Sequence, residues 1–225
     1  MSATPTPTPA HRHFHDMLSD LKEKLLTMSG EAQDALEKAI DALLRRDGNL
    51  AAEVIAGDRV VDGLELEIEE LVIDLLATQQ PMARDLRLLM SGMKIANDLE
   101  RVGDHAVNIA QSAERLTAAR LVTPEPEILE MARQARAMLS GALDAFVRGD
   151  TALGREICRR DDSVDALNDS VFRILLTHMM EDTHVIGTAI ELLLVSRNLE
   201  RVADLATNIA EDVVFLETGE LAELG

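Results

Sequence analysis

From Phe14 onward apolar residues return every three or four positions. Leu18, Leu21, Leu25, Met28, Ala32, Ala35, Ala39 and Leu43 trace one such seam, the spacing of a helix that packs in a bundle. The seam stops at Asp47-Gly48-Asn49, a turn sequence. A second seam through Val54, Val61, Leu64, Ile68, Leu71 and Leu75 predicts one helix over 50–78, broken by Gln79-Gln80-Pro81. Further helices are predicted over 82–116, 127–148, 151–181 and 185–217, with Gly149-Asp150 turning the fourth into the fifth. Proline supports these bounds. The stretches 10–80 and 127–225 contain none, as helix interiors require. Strand signals of alternating β-branched and aromatic residues are missing. The expected fold class is all-α: two tandem, pseudo-symmetric three-helix bundles. The expected division is a disordered Thr/Pro tail (1–13), a first three-helix unit (14–120), a linker (121–126), a second unit (127–219) and a C-terminal tail (220–225).

The two halves repeat each other. Residues 99–110 read Leu-Glu-Arg-Val-Gly-Asp-His-Ala-Val-Asn-Ile-Ala, and residues 199–210 read Leu-Glu-Arg-Val-Ala-Asp-Leu-Ala-Thr-Asn-Ile-Ala, with nine of twelve positions identical. A weaker echo links Asp58-Arg59-Val60-Val61-Asp62 to Asp161-Asp162-Ser163-Val164-Asp165. Such internal similarity marks a duplicated unit. The first and fourth helices lack a comparable signature and are expected on the outside.

Glu100, Asp104 and Asn108 lie four residues apart, so they line one stripe of the third helix. Glu200, Asp204 and Asn208 repeat that stripe on the sixth, while Asp58/Asp62 and Asp161/Asp165 form matching pairs on the second and fifth. Like charges at this spacing cost a helix a few tenths of a kcal/mol. Four such pairs need counter-charge from arginine, from solvent with salt, or from a bound cation. Arg101 is three residues from both Asp98 and Asp104, and Arg201 is three from Asp204, so solvated faces laced with ion pairs are one reading. Recurrence at matched positions favours the other. Small residues nearby (Ala96, Gly103, Ala106, Ala203, Ala206) would let a facing helix bring a second carboxylate pair into range. All-oxygen ligands of this kind suit hard cations, iron or manganese, and facing bundle helices are where carboxylate-bridged metals are built.

The runs Asn97-Asp98-Leu99-Glu100-Arg101-Val102-Gly103-Asp104-His105-Ala106-Val107-Asn108-Ile109-Ala110 and Asn198-Leu199-Glu200-Arg201-Val202-Ala203-Asp204 resemble the paired signatures of the PhoU family. Gln79-Gln80-Pro81-Met82-Ala83-Arg84-Asp85-Leu86-Arg87 resembles that family's turn into its third helix. The resemblance implies a cytoplasmic regulator of phosphate uptake and phosphate-starvation signalling, without catalytic activity and often dimeric. The implied partners are the cytoplasmic component of a phosphate ABC transporter and a phosphate sensor histidine kinase, restrained when phosphate is plentiful. It also implies multinuclear iron or zinc on the carboxylate pairs, with manganese or magnesium open. Leu205 departs from the pattern where the first copy has His105. If that histidine serves a metal, the second site is expected to be the weaker.

Composition narrows the alternatives. Asp and Glu number 41 against 22 Lys and Arg, a formal charge of −19, which argues against nucleic acid. No Trp and no Tyr are present, so stacking platforms are absent too. The lone cysteine, Cys158, cannot form an intrachain disulfide and reads as a buried small hydrophobe. No apolar run approaches a membrane span. His11, His13 and His15 read as part of a floppy terminus. No Gly-rich phosphate loop, nucleophile–base pair or Cys/His zinc spacing is found. Nor does any basic cluster stand out, so free phosphate is not an expected direct ligand. A carboxylate-bridged metalloenzyme and a metal-free helical scaffold are the competing functions.

Overall fold

The computed structural model describes residues 9–79, 81–117 and 126–219. Helix α1 spans Pro9–Arg45, α2 Gly48–Gly57, α3 Arg59–Gln79 and α4 Ala83–Thr117. The second half follows with α5 Pro126–Arg148, α6 Thr151–Cys158, α7 Asp161–Glu181, a single 3-10 turn at Thr183–Val185, and α8 Ile186–Thr218. No strand occurs among the described residues. Residues 1–8, most of the expected linker and the expected C-terminal tail lie outside them. So do the side chains of His11 and His13. Helix α1 begins at Pro9, before the predicted Phe14.

The α1–α2 and α5–α6 corners are copies of one device. The N–H of Asp47 bonds the Ala42 carbonyl at 2.9 Å, and the N–H of Asp150 bonds that of Ala145 at 2.9 Å. These bonds satisfy last-turn carbonyls that would otherwise be orphaned. The left-handed residue this turn needs is Gly149 in one copy (φ 63°) and Arg46 in the other (φ 54°). The sequence points instead to Gly48, which lies one step inside α2. The guanidinium of Arg46 donates to the Leu116 carbonyl, a contact that offsets the unfavourable backbone. Asp47 and Asp150 then cap the next helices, their carboxylates accepting from N–H groups two and three residues on.

Two expectations are corrected. The helices predicted over 50–78 and 151–181 are each broken once, at Asp58 and at Arg159-Arg160. Both breaks use tightened i+3 bonds, Val61 N–H to the Asp58 carbonyl and Ser163 N–H to that of Arg160. The six-helix plan survives, with a bend in the second helix of each unit. The first and fourth helices are not on the outside. Helix α1 packs along α4, α5 along α8, and α4 and α8 pack on each other, leaving α2–α3 and α6–α7 at the flanks. Leu21, Leu25 and Met28 of α1 and Ile128 and Met131 of α5 are fully buried. Burying such a side chain contributes about 1.5–3 kcal/mol, which outweighs any lack of a polar signature.

Helices α4 and α8 run antiparallel. Lys94 meets Asp212 at 3.1 Å at one end, and Arg115 meets Glu191 at 2.9 Å at the other. Between them, His105 Nδ1 lies 2.9 Å from Asn198 Oδ1. One continuous core crosses both units.

Candidate metal centre

The bends put carboxylates where they face the signature helices. In the second unit α7 starts at Asp161, so Asp161 and Asp165 occupy its first turns opposite Glu200 and Asp204 of α8. Oxygens of Asp165, Glu200 and Asp204 all lie within 4.8 Å of one another. Asp161 adds a buried Oδ1 that has no hydrogen-bond partner. Burial first, then Asp204 and Asp165, push the Asp161 carboxyl up to about 6. Glu200 and Asp204 are also raised by burial, and the neighbouring Arg201 works against the shift. Arg201 Nη1 sits 3.2 Å from Asp204, while its Nε is 4.0 Å from Glu200. Arginine therefore relieves part of this charge and leaves the Asp161 oxygen untouched.

The first unit is assembled from the matching residues but is looser. Asp58, at the bend, points at Gly103, where a Cβ would stand 3.3 Å from its Oδ1. Burial, Asp62 and Asp104 raise Asp58. Burial, then Asp104, Glu65, Asp62 and Asp58 raise Glu100 to about 7. Among the described residues the three-oxygen approach occurs in the second unit only. Arg101 turns away, 3.7 Å from Asp98. Glu65 joins this cluster and was missed in the sequence, although it stands three residues from Asp62. The amide of Asn97 donates to its Oε1 at 3.2 Å.

The asparagines are placed differently from the carboxylates. The side chain of Asn208 hydrogen-bonds Asp98 across the α4–α8 contact, and Asn108 is exposed one turn beyond Asp104. His105 also belongs to that contact. It bonds Asn198 and lies near enough to oppose the upward shift of Asp204. The histidine of the first copy thus stands across the α4–α8 contact, beside the second unit's carboxylates. Cys158 is 8% exposed, as expected of a buried small hydrophobe, and burial pushes its thiol up to about 11.

The donor set passes a chemical test for a cation. Three convergent carboxylates and an orphaned buried oxygen lack enough positive charge around them, and oxygen-rich sites of this type bind hard divalent ions, iron or manganese. Which ion is favoured depends on ligand number and geometry.

Comparison with known proteins extends the picture across more than nine-tenths of the chain. The PhoU domain model matches twice, over residues 25–113 and 128–213. A phosphate-specific transport system accessory protein PhoU homolog of Clostridium acetobutylicum is 37% identical over 212 residues, covering 94% of this chain and 97% of that protein. The homolog of Caulobacter vibrioides is 40% identical over 210 residues, 93% and 91% of the two chains. The crystal structure of PhoU from Pseudomonas aeruginosa superposes with a TM-score of 0.89 at 35% identity, covering 92% of this chain and all of that one. The phosphate transport system regulatory protein PhoU from Streptococcus pneumoniae gives 0.86 at 30% identity, covering 93% and 99%. No helix among the described residues is long and apolar enough to cross a membrane. With both units matched and the fold shared over 92–93% of its length, the chain belongs to the PhoU family.

Proposed function

We propose that this protein is a cytoplasmic regulator of phosphate uptake, restraining a phosphate ABC transporter and its sensor histidine kinase when phosphate is plentiful. The observation behind this reading is the full-length match to accessory proteins of phosphate-specific transport, in both units at once. An acidic surface and a charge of −19 suit recognition of basic partner surfaces, because complementary charge steers encounter. The carboxylate clusters would hold metal, with Asp165, Glu200 and Asp204 as the firmer site and Asp161 completing it. Bound metal would neutralise repelling charge and fix the bends of α2–α3 and α6–α7 against α4 and α8.

The test is genetic. Deleting the gene should leave phosphate-scavenging genes switched on in phosphate-rich medium. Complementation should survive Cys158→Ala and fail or weaken with Glu200→Gln plus Asp204→Asn. Normal repression in the deletion strain would overturn the regulatory reading.

A further inference from the structure

A cleft lies at the end of the molecule where α1, α4, α5 and α8 meet. It has a volume of about 590 Å³, within the usual range for small-molecule sites, and lies at a junction of structural units, where such sites concentrate. Its apolar wall is formed by Leu18, Leu88 and Phe146. Three cations rim it: Lys22 of α1, Arg84 in the first turn of α4, and Arg148 in the last turn of α5. Those residues are far apart in sequence, so no basic cluster shows before the chain folds. Two carboxylates, Asp85 and Glu217, share the lining, and Asp144 stands beside Arg148, so the cleft is near neutral on a chain of −19.

The cations are poorly matched by the carboxylates around them. Arg84 reaches Glu217 only at 3.5 Å, Arg148 reaches Asp144 only at 3.9 Å, and Lys22 pairs with no carboxylate among the described residues. A cleft of similar size between α1 and α5 provides the contrast. There Arg136 is held by Glu37 at 2.9 Å and Arg133 by both oxygens of Glu130. In that cleft the basic groups are already satisfied. In the first they are held open around an apolar wall. The amino end of α4 adds partial positive charge there and the carboxyl ends of α5 and α8 partial negative charge, so the three side-chain cations carry the attraction for an anion.

We infer that this cleft binds a small organic anion, a molecule with an apolar body and a phosphate, sulfonate or carboxylate head held by Lys22, Arg84 and Arg148. The inference is independent of the carboxylate clusters and of the regulatory reading. The probe is 8-anilinonaphthalene-1-sulfonate, which combines an aromatic body with a fixed anion and brightens on leaving water. Titrated into the full-length protein, it should saturate at one site per chain and weaken with added salt. The Lys22→Gln, Arg148→Gln double variant, whose substituted side chains are exposed and whose helicity should be unchanged, should bind about tenfold more weakly, a modest figure for losing two charged contacts. Phe172→Ser, which removes an exposed apolar group on α7, should leave binding as it was. Adenosine monophosphate and laurate serve as competitors, and displacement by either shows that the cleft accepts that phosphate or carboxylate. Absence of saturable binding would overturn the inference. So would binding that is unchanged by the double variant, or lost with Phe172→Ser.

Discussion

Replacing Glu200 by Gln and Asp204 by Asn should make the metal-free protein more stable while abolishing its response to cations. Three carboxylates whose oxygens approach within 4.8 Å repel pairwise by about 0.9 kcal/mol at the dielectric of water. Physiological salt, with a screening length of about 8 Å, reduces each pair to roughly half. Removing two of the three charges eliminates all three repulsions, a gain of about 1.4 kcal/mol. Against it stands the loss of the Arg201 contacts at 3.2 and 4.0 Å, exposed pairs worth about 0.2–1 kcal/mol. Counting the two contacts of the one guanidinium together as about 0.6 kcal/mol, the net gain is about 0.8 kcal/mol, or about 2–3 °C in melting temperature for a chain of this length. Melting curves after chelation measure it directly. With manganese or ferrous iron in excess the order should reverse, since binding to the native state stabilises only the protein that keeps its ligands. A chelated variant that melts below the parent, in a protein whose own melting ignores added cations, would refute the reasoning. The carboxylates would then be structural acceptors.

Other expected outcomes follow from the same geometry. Metal analysis of tag-free protein should show a larger loss for Glu200→Gln with Asp204→Asn than for Glu100→Gln with Asp104→Asn, because the first unit is looser; equal losses would contradict this. Stability of the chelated protein should fall as pH rises from about 4 to 7. Glu100, at about 7, and Asp161, at about 6, keep their protons in the fold after the unfolded chain has released them, so the penalty is absent below the unfolded values and complete above the folded ones. Urea titrations across that range check the slope, and a rising slope would be the contrary result. Gly154→Ala should cost about 1 kcal/mol in urea unfolding despite its better helix propensity, because the new Cβ would stand 3.1 Å from the Ala210 carbonyl oxygen. Gly63→Ala, with nothing within 4 Å, should stabilise by a few tenths of a kcal/mol or more.

The helices were visible in the sequence because burial leaves a period. Leu21, Leu25 and Met28 recur at that spacing and are all fully buried. The pairing of Asp58/Asp62 with Glu100/Asp104 was visible because duplication kept both copies recognisable. The bends at Asp58 and Arg159-Arg160 left no such mark. Neither involves proline, and each depends on how α4 or α8 is approached from the side. Glu65 escaped for a related reason, since its place beside Asn97 is set by the α3–α4 register and not by its own neighbours in sequence. The cross-unit contact of His105 was not legible because a repeat alignment assigns each residue to its own copy. Contact across the α4–α8 boundary obeys a different pairing.

That boundary sets a rule for change over generations. In a self-associating single unit, the two sides of a two-fold axis are encoded by the same codon, so any substitution appears on both sides at once. In the tandem chain the α4–α8 boundary has two addresses. Asp98 faces Asn208, while its counterpart in the second copy, Asn198, faces His105, whose own counterpart is Leu205. A complementary acid–amide pair on one side and an imidazole–amide pair on the other can coexist only when the halves are inherited separately. Duplication thus released the seam from self-complementarity, and the two carboxylate clusters beside it are free to specialise.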